Sequence, residues 1–329
     1  IRKIVVYLLV TAIVLGLVLY FIVNSALVVR KVADTYAPDY NISYSRIHGN
    51  VLTGVMIEDL AYKSDRMAKH ITLKWNPSGL FKKTLMVNTL RVEKVNVDTI
   101  KALVASFASV ENNESEETSS SEPIDIGVKV DHLALTLDPF VEQGITISDV
   151  VLDMHGLRYK SERVDVRQLD LKVDTNVTDI VLDASLKDGR VKIQELNITE
   201  VDALALQTLF APDSNESNES AVEVIAETNA TEETPGNPLI PKWVQLDKLN
   251  VTLLPLVYDP VNIRELNIHG GDALFDVEKL LLEKADLNLD TSTNLSDIGY
   301  KTKVKNNKLI GKVNFKPKKA LFKLYELPI

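Results

Sequence analysis

The sequence predicts a mainly β chain built from repeats, with one N-terminal transmembrane helix and a few short helices. Three observations carry this reading. An uncharged apolar run of bilayer length opens the chain, apolar and polar residues alternate through the body, and a strand–helix–acidic linker–strand block recurs.

No charge interrupts Ile4 to Val29, and its strongly apolar part, Ile4 to Val23, is 20 residues long. At ~1.5 Å per residue that run spans about 30 Å, the thickness of a bilayer's hydrocarbon core. Arg2 and Lys3 precede the run and Arg30 and Lys31 follow it. The positive-inside rule therefore leaves orientation undecided. The N-terminal position favours the amino end in the cytoplasm and the bulk outside. A cleaved signal peptide is the alternative, but its apolar region is shorter, and "VNSA" (Val23–Ala26) is a weak cleavage site.

After Pro38 the pattern has period two. "VKVDHLALTL" (Val128–Leu137), "RVDVRQLDLKVD" (Arg163–Asp174), "KDGRVKIQELNIT" (Lys187–Thr199) and "KADLNLD" (Lys284–Asp290) alternate, with occasional slips of one residue. Alternation marks strands with one apolar face, and slips mark bulges that bend and twist a sheet. "KDG" (Lys187–Gly189) and "KNN" (Lys305–Asn307) are turn signals between them. The expected sheet is antiparallel. Only Thr99–Val110 and Glu200–Ala211 read as amphipathic helices in the body.

The block repeats. Val92–Leu103 matches Ile193–Leu204 in apolar character, and Val128–Phe140 matches Val244–Leu256 down to Asp131/Asp247 and Pro139/Pro255. The expected layout is an anchor over 1–37, a first β unit over 38–110 and an acidic linker over 111–123. A second β unit over 124–211, a linker over 212–241 and an incomplete third unit over 242–329 follow. The chain opens without Met and stops at "LYELPI". It reads as a piece of a longer array in which further units stack.

The net charge is −9, yet the two linkers hold twelve acids and no bases, so the remainder carries +3. The body is near neutral, and no basic cluster interleaved with aromatics appears, which argues against a nucleic-acid partner. Cysteine is absent, excluding disulfides, thiolate zinc sites and cysteine nucleophiles. That leaves the cytoplasm or a bacterial periplasm open. No nucleophile elbow, P-loop or dinucleotide fingerprint is present, so no catalytic residues, cofactor or enzymatic activity are expected. The five histidines (His48, His70, His132, His155, His269) show no metal-ligand spacing and read as surface or packing residues.

Ile42–Asp98 carries Gly49, a second glycine at Gly54, a strand ending in Tyr62, a strand ending in "LKW" at Trp75 and a strand pair closing on "VNVD". This region resembles the N-terminal part of the AsmA-like family, in particular its TamB branch (translocation and assembly module subunit). The resemblance covers residues 1 to about 98 and rests on packing patterns. It implies a single-pass anchor in a bacterial inner membrane and a body in the periplasm. It also implies an elongated, curved sheet forming an apolar groove that passes phospholipids towards the outer membrane. An outer-membrane BamA/TamA-like protein would be the distal partner. The alternative is a scaffold for outer-membrane protein assembly that works by β-strand augmentation.

The groove-lining candidates are Val128, Val130, Leu133, Leu135, Leu137, Val164, Val166, Leu169, Leu171 and Val173. On the residues alone, a dry sandwich core accounts for the same pattern. Trp75 is read either as a cap on one end of the groove or as a packed strand-end residue. Gly49 and Gly54 are read as structural, permitting a bulge or close strand approach. Asn113, Asn215, Asn218 and Asn229 lie in Asn-x-Ser/Thr with an acid two residues upstream, a pattern that resembles bacterial N-glycosylation acceptors. Tracts rich in Asn, Ser and Glu also produce such matches by composition. Asn176 and Asn197 match at strand positions, whereas Asn250 and Asn294 lack the acid.

Overall fold

The computed structural model describes residues 26–108, 126–160, 163–210, 241–305 and 308–324. These contain seventeen strands and four α-helices. The apolar run Ile4–Val23, the linker over 111–123 and residues 212–240 of the second linker lie outside the described residues, and with them Asn113, Asn215, Asn218 and Asn229. Among the described residues no helix is long and apolar enough to cross a membrane. The first described helix, α1, is Ala26–Tyr36. The chain divides into two compact units, one running to Phe140 and resuming over Ile147–Val173, the other comprising Val141–Thr146 and Asp174 onward.

In the first unit β1 (Ile42–Ser43) and β2 (Arg46–Asn50) both pair with β3 (Gly54–Tyr62). A turn at residues 51–53 joins β2 to β3, and Asn50 Oδ1 holds it by accepting from the Leu52 and Thr53 amides at 3.0 and 2.9 Å. Gly49 and Gly54 are needed here. A Cβ at Gly49 would stand 2.2 Å from the Gly54 carbonyl oxygen, and one at Gly54 2.3 Å from that of Leu73. Trp75 joins the same device: its Nε1 donates to the Val51 carbonyl at 2.7 Å. It therefore fastens the turn.

The sheet continues through β4 (Asp65–Asn76) and β5 (Thr84–Val95), antiparallel to one another. The chain then forms α2 (Val97–Ala108), with Asn96 as its N-cap, Oδ1 accepting from the Thr99 amide at 3.0 Å. Strand β6 (Gly127–Leu137) returns parallel to β5. The short β7 (Phe140–Glu142) precedes β8 (Ile145–Lys160), which is antiparallel to β6, and β9 (Arg163–Thr175) follows.

The second unit repeats the plan. Strand β10 (Asp179–Lys187) pairs antiparallel with β11 (Arg190–Val201), and α3 (Ala203–Phe210) follows, capped by Asp202 accepting from the Ala205 amide at 2.9 Å. Strand β12 (Trp243–Leu253) is parallel to β11 and antiparallel to β14 (Val261–Asp276), which also carries β13 (Leu256–Tyr258). Strands β15 (Leu281–Thr293), β16 (Ser296–Lys305) and β17 (Lys308–Pro317) complete an antiparallel meander before α4 (Lys319–Leu324).

Two findings correct the sequence reading. The strands are not antiparallel throughout: β5–β6 and β11–β12 are parallel. A parallel pair needs a crossover, and in both blocks a helix supplies its start. The repeat also aligns differently. Val92 pairs with Leu135, Ile198 pairs with Val251, and β6 and β12 correspond residue for residue 116 positions apart by their matching breaks. Val92 therefore corresponds to Ile198, five positions beyond Ile193. Alternating patterns match themselves in several registers, and only the hydrogen-bonded ladder selects one.

Among the described residues, no large side chain is completely buried. The most buried apolar residues of the first unit are Tyr62, Ala68, Val87, Val95, Val130 and Val166, spread over β3, β4, β5, β6 and β9.

Candidate functional site

The apolar face of the first unit is assembled by a bulge. On β5, Val87 pairs with Trp75 and Thr89 with Lys74, so Asn88 is an extra residue. The break crosses the sheet. Val130 pairs with Leu157 and His132 with His155, while Asp131 and Gly156 are not matched, and Gly156 takes φ +70°. Two consecutive residues on one side restore the alternation out of phase. Val128 and Val130 before the break thus share a face with Leu133, Leu135 and Leu137 after it. On β9 the same slip falls at Arg167 and Gln168, both exposed, between Val164/Val166 and Leu169/Leu171/Val173.

The structure brings the β6 candidates together with Val92 and Val95 of β5, and places α2 above the end of that face. Val92, Val95, Val97, Ile100, Val104, Ala105, Leu135 and Leu137, with Lys101 at the margin, line an open apolar cavity of about 680 Å³. Val104 is 61% exposed beside it, an apolar side chain left in water at the mouth. Of the ten lining candidates, only Val130 and Val166 are buried; the other eight are half-buried. The sequence shows the amphipathic stretch that becomes helix α2 but not that it folds back over Leu135 and Leu137.

No family model, curated protein or solved structure matches the chain.

The opposite face of the same strands is polar. His132 of β6 sits directly across from His155 of β8, their rings stacked at 4.6 Å between centroids and 7° between planes. Asp153, two residues before His155 and so on the same face, lies between them. Its Oδ2 is 3.1 Å from His132 Nε2, and its Oδ1 is 2.9 Å from His155 Nε2. The latter contact has ion-pair distance but not hydrogen-bond geometry, so Oδ1 is buried without a hydrogen-bond partner. The two histidines show no metal-ligand spacing in sequence; the β6–β8 register makes them neighbours. The remaining ones behave as expected of surface polar residues where partners are seen: His48 lies 3.8 Å from Glu58, and His269 Nδ1 3.1 Å from Asn250 Oδ1.

The second unit carries ion pairs between β11 and β12. The Lys192 ammonium beside Asp247 holds that carboxyl below its usual range, with Gln245 assisting, and Lys248 does the same for Glu195. Asparagines of the body are committed to structure. Asn250 Nδ2 donates to Asn197 Oδ1, Asn176 Oδ1 accepts from the Thr146 amide, and Asn294 Oδ1 from the Asn262 amide.

Proposed function

We propose that the apolar face of the first unit binds acyl chains, and that the protein is a membrane-anchored, groove-type carrier of phospholipids in a bacterial periplasm, of the AsmA/TamB type. The observation that carries this reading is the open apolar cavity under α2, lined by Val92, Val95, Leu135 and Leu137 of the sheet and by Val104 of the helix. Apolar surface left in water at this extent calls for a ligand, and each buried methylene contributes ~0.8 kcal/mol. The resemblance of Ile42–Asp98 and the apolar run Ile4–Val23 supply the membrane context of the proposal. The mechanism is passive shielding: no residue here is assigned a chemical step, and direction comes from outside the chain.

The test is native mass spectrometry with lipid extraction on the full chain, purified in minimal detergent. Co-purifying phospholipid, lost when Leu135→Asp and Leu171→Asp are introduced with the fold intact, supports the carrier. A folded, lipid-free wild type refutes it.

One observation favours the scaffold alternative. All ten residues of β17 are exposed, with Leu309, Ile310, Val313 and Phe315 each more than half in water. A strand of that character invites pairing with another chain. Charged substitutions at Ile310 and Val313 that abolish envelope assembly while leaving lipid content unchanged would favour it over the carrier.

A further inference from the structure

We propose that His132, Asp153 and His155 form a binding site for a divalent first-row transition cation, with zinc as its probe, on the polar face of the first unit. One candidate ligand atom from each of the three residues lies within 4.8 Å of the others. Two imidazole nitrogens and a carboxylate oxygen are a donor set that suits zinc, copper, nickel or iron rather than calcium or magnesium. Coordination at about 2.0–2.2 Å brings neighbouring tetrahedral donors to roughly 3.3 Å from one another, so side-chain rotation of an ångström or so closes the set.

Three features separate this cluster from an ordinary cross-strand pair. First, Asp153 Oδ1 is buried with no hydrogen-bond partner, which costs free energy that a bound cation would remove. Second, both Nε2 atoms converge on the same carboxylate, whereas two independent pairs would each use their own acceptor. Third, the fold does not require the arrangement. The 116-residue correspondence places Lys248, His269 and Gly271 at the equivalent positions of the second unit, and there Lys248 pairs with Glu195. The same broken ladder forms without two histidines facing an aspartate.

The three side chains are 26–39% exposed, so a cation has access from water and keeps solvent in its remaining positions. Three protein ligands with open positions make an exchangeable site. Bound there, the cation ties β6 to β8 beside the unmatched residues Asp131 and Gly156, behind the face that carries Leu133 and Leu135. The site does not depend on the acyl-chain reading.

The test uses the untagged full chain, stripped with a chelator and titrated with zinc chloride by calorimetry. One zinc per chain is expected. His132→Gln, His155→Gln and Asp153→Asn should each weaken binding by about tenfold or more, while the double variant His48→Gln/His70→Gln leaves it unchanged. Absence of binding, binding only as several weak sites of the acidic linkers, or undiminished affinity in the three variants would overturn the proposal. Where a variant fails to fold, the wild type loaded with one copper(II) gives the reading. Hyperfine structure from two imidazole nitrogens supports the site; a spectrum with fewer than two refutes it.

Discussion

Asp131 of β6 and Asp247 of β12 mark the same break in two ladders. Asp131 is passed over between Val130–Leu157 and His132–His155, and Asp247 between Leu246–Ala273 and Lys248–Gly271. In each case the extra residue arises on the preceding strand, at Asn88 and at Gln194. The break ends at a left-handed residue, Gly156 at φ +70° and Asp272 at φ +50°. Gly156 is where this can be tested. Alanine there meets both the left-handed backbone and Arg167, whose Cβ would be 3.0 Å from the new methyl. Gly156→Ala should cost about 1–2 kcal/mol, read as a lowered urea midpoint. An unchanged midpoint would mean that the backbone at 156 relaxes out of the left-handed conformation.

The caps of the two crossover helices invite the same treatment. Asn96 and Asp202 each satisfy an amide three residues on. Asn96→Ala and Asp202→Ala should each destabilise by about 1 kcal/mol, while glycine at either position costs only a few tenths. Thermal denaturation of the four variants checks both the caps and the equivalence of the two helices.

Much of this architecture follows from alternation, because a sheet with one wet face writes period two into its strands. The slip from Val128/Val130 to Leu133/Leu135/Leu137 falls where the β6–β8 ladder is broken, although the extra residue itself is Asn88 on β5. Strand direction is a different matter: alternation reads alike in parallel and antiparallel pairs. The clue to β5–β6 and β11–β12 was the helix after each first strand, since a hairpin needs none. His132, Asp153 and His155 were hidden for a related reason. Their 21-residue separation becomes contact only through the β6–β8 register, which spacing rules for helices and metal loops do not address.

If acyl chains occupy the cavity under α2, affinity must grow with chain length until the face is covered. The ~0.8 kcal/mol per methylene sets an upper bound of about fourfold per added CH₂. Competition between a fluorescent fatty acid and single-chain lipids of increasing length, below their micellar concentrations, measures the slope. Val104→Asp, at the exposed mouth, should flatten it while leaving thermal stability nearly intact. A flat slope in the wild type would remove the acyl-chain reading.

Acid should loosen the second unit, and Asp276 is the reason. Its side chain is 3% exposed, and it accepts from the Lys279 backbone amide at 3.1 Å and from Lys279 Nζ at 2.8 Å. The Lys279 ammonium holds the Asp276 carboxyl below its ordinary range, outweighing the opposing effect of burial. A carboxyl whose pKa is lower folded than unfolded stabilises the fold above its unfolded value, about 3.9, and loses that contribution as pH falls through the folded value. Trp243, whose ring lies 5.7 Å from Lys279 Nζ, is a built-in reporter of the same corner. Tryptophan fluorescence followed from pH 6 downward should show a transition below about pH 4. Asp276→Asn removes the titrating group, so it should lower stability at neutral pH and make the remaining stability less sensitive to acid. An acid response identical in wild type and variant would place the titrating group elsewhere.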